Sequence, residues 1–524
     1  MSYLPNKKLD TAPQRTTNPA RVLMILLALL TLVGCHFPQG VPADQVNPAQ
    51  HMTEVAGILN PDIPDTPTPE PLPTQGVTGV TPPSSPLIHA EGYLIYTTQQ
   101  GDTLDALARR FEVAVDDIQA NGSLPSEGLL PIGVQIQLPD VIENALPFQD
   151  PIVPDSEVIY GPSVDGFDAA EYASSAGGFL ADYSELVKGE MASGPEIVQR
   201  VAIDTSTNPR LLLAFLEYRS GWVFGYPPNA EQDRFPIGFG ASDSGLYNEL
   251  MISAKLLAQG FYGWRDGSLH ELSFYGGGRG RLSPGLNAGS AAIMNLFAAL
   301  HTRDVWETHL FGEESFLHFY QAFFGDTWSR AATVEPYLLS TDRQPEMVLP
   351  FTPGEPWSLT GGPHITWQTG TPWGALDFAP ITGEPACAVS KRWVTASAPG
   401  LVTRSTRSVV AIDLDGDGDE GTGWVLVYMH IAEKDRVPHS TWVEVDTPIG
   451  HPSCEGGQSS GTHVHLARKF NGEWLGVGEP FPLVLSGWRA YATSVRYAGY
   501  LQKGDLIVTS RPDGSSGSTI IRDD

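Results

Sequence analysis

The sequence predicts a multidomain chain: a small βααβ module, a central mainly α region and a C-terminal antiparallel β domain. Three observations predict it. The 524 residues are enough for about three domains. Between about 165 and 345, apolar residues recur at helical spacing. From about 347 onward they give way to short apolar runs separated by turn residues. A hydrophobic fraction of 41% with 10% aromatics marks globular material, and 44 prolines and 55 glycines call for linkers as well. The formal charge of −29 argues against a nucleic-acid partner, because phosphate backbones attract basic surfaces. It suits a soluble, mostly extracytoplasmic protein.

At the N-terminus, Arg15 and Arg21 precede the apolar run 22–30, which is too short to span a bilayer. The run closes on Leu32-Val33-Gly34-Cys35. A positive flank, a short apolar stretch and a small residue before the cut are the marks of a secretory signal. Leu-Val-Gly-Cys resembles a bacterial lipobox. That resemblance implies that 1–35 is a lipoprotein signal, that Cys35 is the lipidated first residue of the mature chain, and that acyl chains hold it to a membrane. Residues 36–90, rich in Pro, Thr and Ser, are expected to be an extended spacer. Only Cys387 and Cys454 remain, in what should be an oxidising compartment. They form either a disulfide or two unpaired thiols.

In the unit 91–140, residues 93–96 read as a strand, and Gly101-Asp102-Thr103-Leu104 as a turn into a helix capped by Asp102 or Thr103. Leu104, Leu107, Ala108 and Phe111 keep helical spacing, 115–120 reads as a second short helix, and 134–138 as a closing strand. From Tyr93 through the Gly101–Leu104 turn to Leu138, the pattern closely resembles a LysM module. The resemblance implies binding of N-acetylglucosamine-containing glycans, chiefly peptidoglycan, near Gly101, Asp102, Thr103 and Leu104.

The region 165–345 is predicted to be helical, with helices over 196–203, 210–218, 246–259 and 290–301. Glu217 near a helix end and the Asn287-Ala288-Gly289 segment resemble the lysozyme-like transglycosylase superfamily. That implies a lysozyme-like domain with Glu217 as a second catalytic acid, since a buried helix-end Glu serves as a general acid on glycosidic bonds. The sequence departs from that superfamily where Pro236-Ile237-Gly238-Phe239-Gly240 stands in place of its usual Gly-Leu-Met-Gln. Glu217 reads equally as a structural partner on its helix.

The last domain, 347–505, shows strands over 394–398, 401–404, 409–413, 424–430 and 462–469, followed by a tail, 506–524, expected to fray. His364 follows Gly361-Gly362-Pro363, read as a turn that presents its side chain. Asp377 stands inside an apolar run, where a charge is costly unless paired or bound to metal. His430 ends the apolar strand 424–430. In Ser459-Ser460-Gly461-Thr462-His463-Val464-His465, the two histidines are two apart and share one face of a strand. Two imidazoles, a carboxylate and a water make a tetrahedral zinc site with an open position. The motifs, in this order, are similar to those of the lysostaphin/β-lytic (LytM-type) zinc endopeptidases. The resemblance implies zinc ligands His364, Asp377 and His465, catalytic histidines His430 and His463, and hydrolysis of peptidoglycan peptide cross-links.

Asp413, Asp415 and Asp417 open like a calcium loop, but the twelfth position is Trp424, so calcium and an acidic solvated turn are both open. Three functions are weighed. The chain is a membrane-anchored, wall-binding zinc endopeptidase, or a non-catalytic regulator of other wall hydrolases, or a bifunctional enzyme that also cleaves glycan strands.

Overall fold

In a computed structural model, residues 85–240 and 244–523 are described. The signal segment, Cys35 and most of the spacer lie outside them. The spacer ends sooner than expected. Leu87–Ala90 is a strand paired with Tyr93–Thr97, because Leu87 is buried opposite Tyr96. These two strands join Gln135–Pro139 and Gln119–Ala120 in one antiparallel sheet. The helix Leu104–Phe111 is capped by Thr103, whose hydroxyl accepts from the Ala106 amide. Leu94, Tyr96, Leu107, Phe111, Ile136 and Leu138 form the module's core. The second expected helix is a single 3₁₀ turn, Val115–Asp117, leading into the short strand Gln119–Ala120. That turn buries no residue, so no apolar face stabilises a longer helix.

The middle is mainly helical. Gly194–Thr205 starts at a capping box made by Ser193 and Glu196. Pro209–Ser220 starts at Asn208 and stops at Gly221, which takes the left-handed conformation. Leu246–Arg265 runs past the expected end at 259, because Phe261, Tyr262 and Trp264 go on burying apolar surface. Gly260 lets it lie close on Ala288–Leu300: a Cβ there would sit 2.5 Å from the Ala292 Cα.

The C-terminal domain is built on an antiparallel sheet. From one edge the strands are Trp442–Val443, Gly400–Thr406, Val409–Asp413, Trp424–Met429, Val464–Phe470, Trp373–Pro380, Pro356–Ile365 and Thr519–Ile521. Strand alternation divides its residues between two cores. Val410, Ile412, Leu426, Tyr428, Val464, Leu466 and Phe378 face the domain's own interior. Ala375, Ala411, Val425, Val427, Ala467 and Trp474 face the other way and share a core with the helical region. The tail does not fray. Thr519–Ile521 is the sheet's last strand, paired with Pro356–Ile365, and Ile520 is buried. No helix among the described residues is long and apolar enough to cross a membrane.

Buried charges tie these parts together. Arg265 of the long helix ion-pairs with Glu473 of the sheet domain at 2.6 Å and with Asp155 at 2.9 Å, and donates to the Gln100 carbonyl of the small module at 2.7 Å. Arg404 bridges Asp204 at 2.6 Å and Glu420 at 2.9 Å, and Lys469 also reaches Glu420 at 3.0 Å. Removing one partner of such a set leaves an uncompensated buried charge. Arg265→Ala is therefore expected to destabilise the chain by about 3–5 kcal/mol. Thermal unfolding followed by circular dichroism checks this, and a melting curve identical to the parent's would refute it.

Candidate metal centre

The strand Trp373–Pro380 places Asp377 beside His465 of Val464–Phe470 on one side and beside Gly361 of Pro356–Ile365 on the other. Gly361 is required by contact: a Cβ there would lie 2.3 Å from Asp377 Oδ2. Gly361-Gly362-Pro363 is thus strand, not the expected turn, and His364 is only 2% exposed. Strand pairing across the middle of the sheet brings His465 opposite Met429, next to His430, whose φ of 63° ends that strand.

The imidazole nitrogens are assigned by their carbonyl partners. His364 Nδ1 donates to Gly362 O at 2.8 Å, so its Nε2 carries a lone pair. His465 Nε2 donates to Thr366 O at 2.9 Å, so its Nδ1 carries a lone pair. These two nitrogens face each other at 3.1 Å, and Asp377 Oδ1 lies 3.3 Å from the first and 3.2 Å from the second. Three electron-pair donors thus converge in a buried place, within 4.8 Å of one another. Asp377 Oδ1 is buried without a hydrogen-bond donor. Burial opposes ionisation of Asp377, and only protons or positive charge at His364 and His465 would offset it and lower the carboxyl; with both facing nitrogens unprotonated, that task falls to a cation. Facing lone pairs around a carboxylate repel unless a cation lies among them, so the donor set fits a divalent metal of zinc's preferences.

Two more imidazoles flank the trio. His463 Nδ1 donates to Gly461 O at 2.7 Å, and its Nε2 lies 3.7 Å from Asp377 Oδ1. Both histidines of the pair therefore reach one carboxylate oxygen, as their spacing predicts. His430 Nδ1 donates to Glu455 O at 2.9 Å, and its ring centroid lies 4.4 Å from that of His463. Burial first, then His463, pushes the pKa of His430 down to about 4. The disulfide Cys387–Cys454 is formed and roots the loop that carries Glu455 O and Gly461 O. Sequence reasoning missed these carbonyls, since any residue type supplies one. It also missed Tyr497, whose ring stacks on His364 at 4.2 Å.

The other candidates take structural positions. Glu217 is 2% exposed, and its carboxylate accepts the amides of Val223 at 2.7 Å and Phe224 at 3.1 Å, holding the turn after its helix. These bonds give Glu217 the role of a structural partner on its helix, the other of its two readings. Asn287 caps its helix by accepting from the Ser290 amide. Asp413, Asp415 and Asp417 bring carboxylate oxygens within 4.8 Å of one another, while Asp413 and Asp415 also accept amides of their own loop, from Asp415, Gly418 and Asp417, as an acidic turn does. Gly101 packs on Arg265, where a Cβ would meet Nη1 at 2.0 Å. Asp102 is bound by Tyr96, the Gln99 amide and Arg110, Thr103 caps the helix, and Leu104 leans on the core. The predicted glycan turn is thus mostly structural.

Comparison with known proteins agrees with this division. Residues 96–139 match the family described as LysM domain, and residues 151–337 match "LasA, N-terminal domain", which stands where a lysozyme-like domain was expected. Protease LasA of Pseudomonas aeruginosa is 25% identical over 367 residues, covering 65% of this chain and 77% of the relative. The solved structure of "A Novel M23 Metalloprotease Pseudoalterin from Deep-sea" is 24% identical with a TM-score of 0.27, over 32% of this chain and 96% of that one. The beta-lytic metalloendopeptidase of Lysobacter enzymogenes is 30% identical over 158 residues, 28% of this chain and 80% of the relative. On that likeness, and with the metal-binding donor set above, the chain belongs to the beta-lytic metalloendopeptidase family.

Proposed function

We propose that the chain is a zinc endopeptidase that hydrolyses peptide cross-links of peptidoglycan, held on the wall by its LysM module and on a bacterial membrane by acyl chains at Cys35. The observation that carries the catalytic part is the convergence of His364 Nε2, Asp377 Oδ1 and His465 Nδ1, with two further imidazoles beside them. The wall part rests on the LysM match and the anchor on the Leu-Val-Gly-Cys35 segment. A zinc ion bound there supplies a water of lowered pKa and polarises the scissile carbonyl.

The residues of the chain do the proton work. With Nδ1–H of His463 and of His430 each fixed on a carbonyl, both Nε2 atoms are free to accept a proton. His463, the more accessible of the two, takes the proton of the attacking water at Nε2 and returns it to the leaving amine. Between these steps its imidazolium faces the developing oxyanion. His430, kept neutral by burial, does not compete for that charge. The alternative of a non-catalytic regulator fits a site with missing ligands. Here every position is filled.

Three outcomes test this. His465→Ala should remove bound metal and lower cross-link hydrolysis by roughly a thousandfold, the order that several kcal/mol of Lewis-acid assistance represents. Metal analysis beside digestion of defined muropeptides reads both, and retained hydrolysis would sink the site. Products of the parent should carry new amino groups and no new reducing or anhydro-sugar ends, and Glu217→Gln should leave that pattern unchanged. The Cys387→Ser/Cys454→Ser pair should keep its metal, because the ligands stand on strands. It should lose kcat by on the order of ten- to a hundredfold as Glu455 O and Gly461 O drift. Loss of metal in that variant would show that the loop holds the ligands instead.

A further inference from the structure

The turn expected to hold glycan is packed against the helical domain, yet open space lies directly beside it. A cleft of about 270 Å³ separates the small module, which contributes Gln99, Gln100 and Ile132, from the helical domain, which contributes Asp155, Trp328 and Glu335. Its size is near the lower end of small-ligand sites, which suits a unit the size of one sugar rather than a long strand.

The walls are amphipathic. Ile132 is 43% exposed on one side, and Trp328, though nine-tenths buried, lines the other. Gln99 spends its amide nitrogen on Tyr96 Oη at 3.0 Å and on the carbonyls of Gly285 and Leu286, both at 3.4 Å. Its oxygen meets no donor among the described residues. Glu335 uses Oε1 on the Ser156 amide at 2.8 Å, and burial, then Asp155, pushes its pKa up to about 7. Asp155 is itself paired with Arg265. The carboxylates of the cleft are thus each engaged, Glu335 by the Ser156 amide and Asp155 by Arg265, and the free groups left are hydrogen-bonding ones. This is chemistry for a neutral, hydroxylated ligand that also has apolar faces, such as an acetamido sugar, and not for a metal ion or a phosphate.

We propose that this cleft is a composite glycan site, in which Trp328 and Glu335 of the helical domain form the second wall against an N-acetylated sugar bound by the small module. The proposal rests on the peptidoglycan-binding reading above. It adds that the module does not bind glycan alone in this chain: the same helical domain that covers its usual turn completes the site next to it.

The test is calorimetric binding of the N-acetylglucosamine tetramer to the full chain, with the melting temperature of each variant measured alongside. Ile132→Arg on one wall and Trp328→Ala or Glu335→Ala on the other should each weaken binding about tenfold. If Ile132→Arg weakens binding while both helical-domain variants bind like the parent, the composite site is wrong and the module's own affinity stands. If the parent does not bind the tetramer, the reading beneath it fails as well. Should Trp328→Ala lower the melting temperature sharply, Trp328→Phe and Glu335→Ala decide the matter, and parent-like binding by both overturns the proposal.

Discussion

Arg265 is the point on which the arrangement of the chain turns. Its guanidinium meets Glu473 of the sheet domain, Asp155 of the helical domain and the Gln100 carbonyl of the small module. A guanidinium keeps its proton at any working pH and presents donors in a rigid fork, so all three partners must be in place together. Burial makes the demand strict, because a charge removed from water and left unpaired costs several kcal/mol. Tyr337 adds a hydroxyl that donates to the same Glu473 at 2.8 Å. A helix that began as an apolar stripe in the sequence thus ends in the residue that fixes a glycan module and a peptidase domain against one another.

That junction matters for the metal centre because of the sheet face involved. Asp377 and His465 alternate in phase with Ala375 and Ala467, which pack against the helical domain. The donor trio and the domain contact therefore occupy the same face, at different ends of it. Arg404 and Lys469 rise from that face into the contact, joined to Asp204 and Glu420. A peptidase domain of this kind without a helical partner would expose Trp474, Phe470 and Leu475 to water. Here they are buried or nearly so in a core shared with the helical domain, which keeps that face of the sheet dry.

Much of the centre was legible because it breaks a pattern. A carboxylate amid Ala-Leu-Asp377-Phe-Ala and imidazoles at 430, 463 and 465 interrupt apolar strands, and a period of two places 463 and 465 together. The long helices were legible for the converse reason, an unbroken apolar stripe. What stayed hidden depends on contacts between distant segments. Gly361-Gly362-Pro363 looks like a turn, and only the approach of Asp377 explains the glycines in a strand. Glu217 looks like an acid until its burial and the Val223 and Phe224 amides on one of its oxygens are seen. Thr519–Ile521 follows Gly and Ser residues and reads as a tail, but the edge of Pro356–Ile365 offers unpaired backbone that it satisfies.

His364, Asp377, His430 and His465 are each under a tenth exposed, while His463 keeps more of its ring open. Around the opening the loops are glycine-rich: a Cβ at Gly461 would meet nothing within 4 Å, and one at Gly457 only the His430 ring. The three lone pairs gathered among buried histidines favour a cation over a hydrogen bond, and a cation held there, not the ligands themselves, is what would polarise a substrate carbonyl.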